Sequence, residues 1–203
     1  GMENHGKYQE FIYTHQDKSL YLKLFIASEL NWQEKGIRIK QETDFPFEEK
    51  TKLTITDGSG QVELKVRYPE WVADSELQVK INGETWPVSA APSSYVGIDR
   101  LWQKGDVVEI SLPMQNRMEQ LPNVPNYFAF MHGPILLAAK AGTENLDGLV
   151  ADDSRWGHIA HSERLPVGEA PVIIADDVSE VIENLKSVPN SALTWKLTGL
   201  KMI

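Results

Sequence analysis

The strongest constraint on the fold of this chain is an alternation of apolar and polar residues with a period of two. Residues 62–68 read Val-Glu-Leu-Lys-Val-Arg-Tyr, and residues 37–41 and 107–112 repeat the alternation. Because successive side chains of a β-strand point to opposite faces, this period predicts strands with one buried and one solvated face. Short strands separated by turns are typical of sandwiches. We therefore predict an all-β protein made of jelly-roll-like β-sandwiches.

Two short polar segments predict hairpins between these strands. Asn82-Gly83 supplies the two positive φ angles of a type I′ turn between residues 77–81 and 85–88. Asp-Gly-Ser-Gly at residues 57–60 also separates two alternating runs. It predicts a second hairpin.

After about residue 113 the regular alternation ends, and residues 121–126 are rich in proline and asparagine, as in a connecting segment. We therefore predict a domain boundary here. Residues 1–16 are expected to be a connecting segment, 17–113 a first β-sandwich, and 114–203 a second β-sandwich with a long loop and a short helix. Glycines and prolines within residues 142–171 indicate that loop. The helix is predicted from apolar residues at i, i+3, i+4 and i+7, starting at Val178 and capped by Asp176 or Asp177.

Composition excludes several function classes. The chain has 203 residues, 20 basic and 29 acidic side chains and a net charge of −9, which disfavours a nucleic-acid partner. Its longest apolar run, residues 135–139, is far shorter than a membrane span. Because the chain has no cysteine, it contains no disulfide, thiolate metal site or cysteine nucleophile. The cellular compartment therefore cannot be read from cysteine usage.

Two short clusters could carry chemistry. His158 and His161 have the spacing of a metal pair on a helix, but the surrounding residues favour loop histidines that hydrogen-bond the backbone. Asp152 and Asp153 could be calcium ligands or glycosidase carboxylates, but the favoured interpretation is an exposed turn or a pairing with Arg155. We assign no catalytic, cofactor-binding or metal-binding residue from these patterns.

The six tryptophans raise the question of carbohydrate binding, because sugar rings stack on flat aromatic faces. Their neighbours instead favour burial in sandwich cores for four of them, at positions 71, 86, 102 and 195. Trp32 and Trp156 are the better candidates for a surface.

Several separated segments occur in the order seen in one enzyme family. The chain resembles the beta-L-arabinofuranosidase-like glycoside hydrolases (family 127/146-like) at residues 1–8, 20–32, 41–46, 67–72, 106–114, 132–138 and 152–158. Members have an (α/α)₆ barrel that carries a cysteine nucleophile at a zinc site and a glutamate acid/base, followed by β-sandwich domains. The resemblance implies that this chain corresponds to the sandwich portion only, and that zinc is expected only in the missing barrel.

The resemblance also implies the setting of the chain. Residues 1–16 would be a remnant of the connection to the barrel, with Glu3 and His5 near the pocket of a bacterial, periplasmic or secreted parent. A surface around Tyr8, Phe11 and Ile12 should then be apolar, either as a helix continuing from the barrel or as a site of self-association.

Three functions follow from this sequence, and they differ in class. The first is a non-catalytic region that braces the missing catalytic barrel of a hydrolase acting on plant-type glycans. The second is an autonomous carbohydrate-binding module with a glycan as its partner. The third is a free-standing hydrolase that uses a carboxylate pair.

Overall fold

The computed structural model describes residues 4–140 and 172–202, with side chains from residue 7 onward. The chain divides into two compact units. The first comprises residues 1–117 and 131–135, and the second comprises residues 118–130 and 136–203. Neither of the two described α-helices is long and apolar enough to cross a bilayer.

The first unit begins with a short helix, continues with ten strands and includes a 3₁₀ turn at Gln33–Lys35. These elements are α1 (Asn4–Ile12), β1 (Tyr13–Gln16), β2 (Ser19–Leu22), β3 (Ser28–Trp32), β4 (Ile37–Thr43), β5 (Lys50–Asp57), β6 (Ser59–Tyr68), β7 (Gln78–Ile81), β8 (Glu84–Trp86), β9 (Ser94–Gln103) and β10 (Val107–Ser111).

The ten strands form two sheets. One has the order β1-β2-β6-β9 and the other the order β3-β4-β5-β10-β7-β8. Strand β2 pairs in parallel with β6, whereas β6 and β9 are antiparallel over ten residues. Inward residues of both sheets form one apolar cluster that includes Leu64, Ile98, Leu53 and Ile110, all less than 5% exposed. The two sheets therefore form a sandwich, and the predicted all-β class is confirmed.

The two predicted hairpins have different outcomes. Asn82 and Gly83 have φ angles of 52° and 85° and join β7 to β8, as predicted. The hairpin predicted at residues 57–60 is wrong, because β5 pairs with β4 and β10 whereas β6 pairs with β2 and β9. The segment instead carries the chain from one sheet to the other. At this crossing Gly58 has a φ of +84°, and a Cβ on it would lie 1.8 Å from the main-chain oxygen of Gly36.

Side chains fix the turn between β9 and β10. Asn82 Nδ2 donates to Asp106 Oδ1 at 2.8 Å, and the amide of Val107 donates to Asn82 Oδ1 at 2.8 Å. The amide of Gln103 donates to Asp106 Oδ2 at 2.9 Å. Burial opposes ionisation of Asp106, but these donors and Arg100 outweigh it and lower the pKa of the Asp106 carboxyl.

After β10, the described residues form short sheets and one helix. These elements are β11 (Asn116–Gln120), β12 (Phe128–His132), β13 (Ile135–Leu137), β14 (Ile173–Ile174), α2 (Val178–Asn184), β15 (Leu185–Ser187), β16 (Trp195–Leu197) and β17 (Lys201–Met202). Strands β11, β12 and β13 form one sheet, β14 pairs with β17, and β15 pairs with β16. The predicted helix is confirmed as α2, since the side chain of Asp177 caps it by accepting from the amide of Glu180. The loop predicted at residues 142–171 lies entirely outside the described residues.

Candidate functional site

Most of the tryptophans serve the cores. Trp102 is 1% exposed, and its Nε1 donates to the carbonyl of Val62 at 3.1 Å. Trp71 and Trp86 are partly buried against the sandwich core, and Trp195 is half-buried in β16.

The prediction that Trp32 lies at the surface is wrong, since this residue is only 5% exposed. It ends β3 beside the ring of His15, with the two ring centroids 5.5 Å apart. Its Nε1 is buried and has no hydrogen-bond partner among the described residues. Leu30 and Trp32 do alternate with polar Glu29 and Asn31, but two apolar positions are too few to predict which face of the strand is buried.

The remaining residues singled out from the sequence cannot be placed. Asp152, Asp153, Trp156, His158 and His161 lie outside the described residues, as does Glu3, and the side chain of His5 is not described. Within the side chains that the structure does describe, no three His, Asp or Glu residues are grouped closely enough to hold a metal ion.

The structure shows a concave polar surface that the sequence did not predict. A groove of about 420 Å³ lies on the outer face of the six-stranded sheet, which we call the polar groove. It is lined by β4, β5, β10, β7 and the segment between β4 and β5. The lining residues are Glu42, Thr43, Asp44, Glu48, Lys50, Thr51, Lys52, Gln78, Lys80, Glu109, Ile110 and Ser111.

A row of alternating charges crosses the floor of the polar groove. Glu42 on β4 is paired with Lys52 on β5, Lys52 with Glu109 on β10, and Glu109 with Lys80 on β7. Opposite charges on directly paired residues stabilise a sheet modestly. Lys52 Nζ lies 3.0 Å and Lys40 Nζ 3.2 Å from the carboxylate of Glu42. Hydrogen bonds from Lys52 and then Lys40 lower the pKa of Glu42.

The other end of this row carries polar groups without partners. Among the described residues, the side chains of Gln78, Lys80, Glu109 and Ser111 make no hydrogen bond or ion pair. All four lie on β7 or β10, at positions that alternate with buried Val79, Val108 and Ile110. The groove thus offers donors and acceptors together, held on two paired strands.

The segment that borders the groove also presents an aromatic ring to solvent. Phe47 is 70% exposed and lies in the sequence between Asp44 and Glu48, two of the residues that line the groove. The amides of Phe47 and Glu48 both donate to the carbonyl of Asp44, at 2.8 and 3.2 Å, and this turn holds the segment. Phe45 instead stacks on Trp71, with centroids 5.8 Å apart.

Residues 19–114 and 117–202 each match a family model. A family model described as the beta-L-arabinofuranosidase GH127 middle domain matches residues 19–114, which cover β2 to β10. Residues 19–114 are thus similar to a GH127 middle domain. The predicted resemblance to the GH127 family is therefore confirmed. A second family model, described as a domain of unknown function (DUF4986), matches residues 117–202. Among curated proteins, none matches.

Solved structures similar to this chain include three glycoside hydrolases. One described as a glycoside hydrolase has a TM-score of 0.57 and 28% identity over 63% of this chain and 22% of its own length. A GH127 beta-arabinofuranosidase has a TM-score of 0.54 and 31% identity over 62% of this chain and 23% of its own. A GH127 beta-L-arabinofuranosidase from Geobacillus stearothermophilus T6 has a TM-score of 0.54 and 26% identity over 63% and 21%. The match thus spans less than a quarter of each relative's length.

Proposed function

We propose that this chain is the non-catalytic β-sandwich region of a beta-L-arabinofuranosidase-like glycoside hydrolase, and that it braces an (α/α)₆ catalytic barrel. The match to the GH127 middle domain over residues 19–114 is the observation that carries this proposal. Because the chain has no cysteine, it lacks the nucleophile and zinc ligand that the family resemblance implies. Catalysis, and any zinc, would then belong to the barrel.

Helix α1 supplies the proposed contact with that barrel. It lies directly before β1, and its last residue, Ile12, is 5% exposed. The carbonyl of Ile12 accepts a hydrogen bond from the amide of Lys23 at 2.9 Å, so the end of the helix is fixed to the sandwich. Tyr8 and Phe11 are each 52% exposed. Large apolar rings at the surface of a helix favour burial against another domain.

The proposal can be tested by activity. The natural reading frame upstream of Gly1 should encode a barrel with paired cysteines, and the extended protein should hydrolyse 4-nitrophenyl β-L-arabinofuranoside. The 203-residue chain alone should show no turnover above the buffer blank, with or without added zinc. Turnover by the chain alone that survives repurification would contradict a non-catalytic role.

The bracing role can be tested by stability. Phe11→Ser should lower the melting temperature of the extended protein by several degrees, because the ring would be buried there, and should hardly change that of the isolated chain. Leu101→Ser on β9 is the matched control, since Leu101 is also 52% exposed. Equal shifts for the two substitutions in the extended protein would show that α1 does not contact the barrel. In the isolated chain, Phe11→Ser should also reduce any self-association measured by light scattering.

A further inference from the structure

We propose that the polar groove binds a neutral oligosaccharide, with Phe47 stacking on one sugar ring. This binding site lies on the outer face of the six-stranded sheet and uses no residue of α1. The inference therefore goes beyond the bracing role and can hold or fail independently of it.

The unpartnered side chains of the groove suit a ligand rich in hydroxyl groups. A hydroxyl donates one hydrogen bond and accepts two, so a sugar requires donors and acceptors from its site. Lys80 donates, Glu109 accepts, and Gln78 and Ser111 can do both. The register pairs Lys80 with Glu109 and Gln78 with Ser111, so the four groups lie on neighbouring positions of β7 and β10.

The charges of the groove favour a neutral ligand. Its lining contains four carboxylates and three ammonium groups. Glu42 is held by Lys52 and Lys40, and the carboxylate of Glu48 lies 3.2 Å from Lys50 Nζ. Because the two signs alternate across the floor, neither an anionic nor a cationic ligand meets a field of one sign.

Phe47 supplies the apolar component that a sugar site needs. The ring is 70% exposed although Phe45, two residues earlier, packs inward. Exposed aromatic rings are used in recognition because they give contact area at little entropic cost. The groove volume of about 420 Å³ also lies within the range of about 300–1,000 Å³ found for ligand sites.

Titration calorimetry on the full chain tests this assignment. The neutral probes are linear arabinopentaose and xylopentaose, and the charged comparator is pentagalacturonate. At least one neutral probe should bind, and Phe47→Ala and Glu109→Gln should each weaken its binding by about tenfold. Tyr95→Ala is the control, because Tyr95 is an exposed aromatic (36%) on β9, in the other sheet. It should leave the affinity within about twofold.

Three results would overturn the assignment. The first is no heat from either neutral probe with a chain whose circular dichroism and melting temperature are normal. The second is tighter binding of pentagalacturonate than of both neutral probes. The third is an equal loss of affinity in Tyr95→Ala and Phe47→Ala. None of these results bears on the bracing role, whose tests use Phe11 and enzymatic turnover.

Discussion

The crossing between the two sheets at Gly58 makes a sharp prediction about stability. Gly58→Ala places a methyl group where the main-chain oxygen of Gly36 lies 1.8 Å away. Ordinary C···O contacts are about 3.3 Å or longer, so the two segments would have to separate by roughly 1.5 Å. The substitution also puts an L-residue at a φ of +84°. Both effects destabilise the folded state only.

A matched control separates the two effects. Gly83 has nearly the same φ, +85°, but a Cβ there meets no atom within 4 Å. Gly83→Ala should therefore lower the free energy of unfolding by about 1–2 kcal/mol, through the positive φ of its backbone alone. Gly58→Ala should lower it by the same amount and by about 1–3 kcal/mol more, because the new methyl group forces packed segments apart. The difference between the two variants, about 2 kcal/mol, measures the close approach alone.

Urea unfolding followed by tryptophan fluorescence measures this difference, since Trp32 and Trp102 are buried in the same unit. If the free energy of unfolding falls by about 2 kcal/mol per molar urea, the unfolding midpoint of Gly58→Ala should lie about 1 M lower in urea than that of Gly83→Ala. Coincident midpoints would refute the claim that the crossing requires a residue without a side chain.

Buried indoles and a turn carboxylate give the remaining predictions. Trp102→Phe should lower the free energy of unfolding by about 1–3 kcal/mol, because a β6 carbonyl loses its indole donor. Trp32→Phe should lower the free energy of unfolding by less than Trp102→Phe in the same urea assay, since Trp32 Nε1 has no hydrogen-bond partner among the described residues. Equal decreases for the two variants would contradict this. The lowered pKa of Asp106 stabilises the fold at pH values above its unfolded pKa of about 3.9, and this stabilisation is lost as the pH falls through the folded pKa. The difference in melting temperature between wild type and Asp106→Asn should therefore be largest near neutral pH and smaller in acid. Asp74→Asn, on an exposed turn, should differ little from wild type in melting temperature. A difference for Asp106→Asn that does not change with pH would argue against the lowered pKa of Asp106.

The sequence alone predicted the local elements well because their causes are local. Alternation at residues 62–68 identified β6 and its buried face, Asn82-Gly83 identified a turn that needs two positive φ angles, and the pair Asp176-Asp177 identified the start of α2, where the structure selects Asp177 as the cap. The family resemblance was also readable from short segments. The predictions for residues 141–171 and for the boundaries at 16 and 113 stay predictions.

The polar groove could not be predicted from the same patterns. Alternation shows that Lys80 and Glu109 point outward from their strands. It does not show that β10 lies between β5 and β7, which is what brings Lys52, Glu109 and Lys80 into one row. Strand order depends on how distant strands share one core, and many orders satisfy the same alternation.

The sequence by itself thus determined the strand period, the hairpin at Asn82-Gly83 and the resemblance of residues 19–114 to the GH127 middle domain. The tertiary structure alone decided that Gly58 carries the chain across the sandwich, that Trp32 is buried, and that a groove forms over β4, β5, β10 and β7. The physical reason is the range of the interactions. Turn and strand preferences act between neighbours in sequence, whereas sheet order and burial come from packing between residues far apart in the chain.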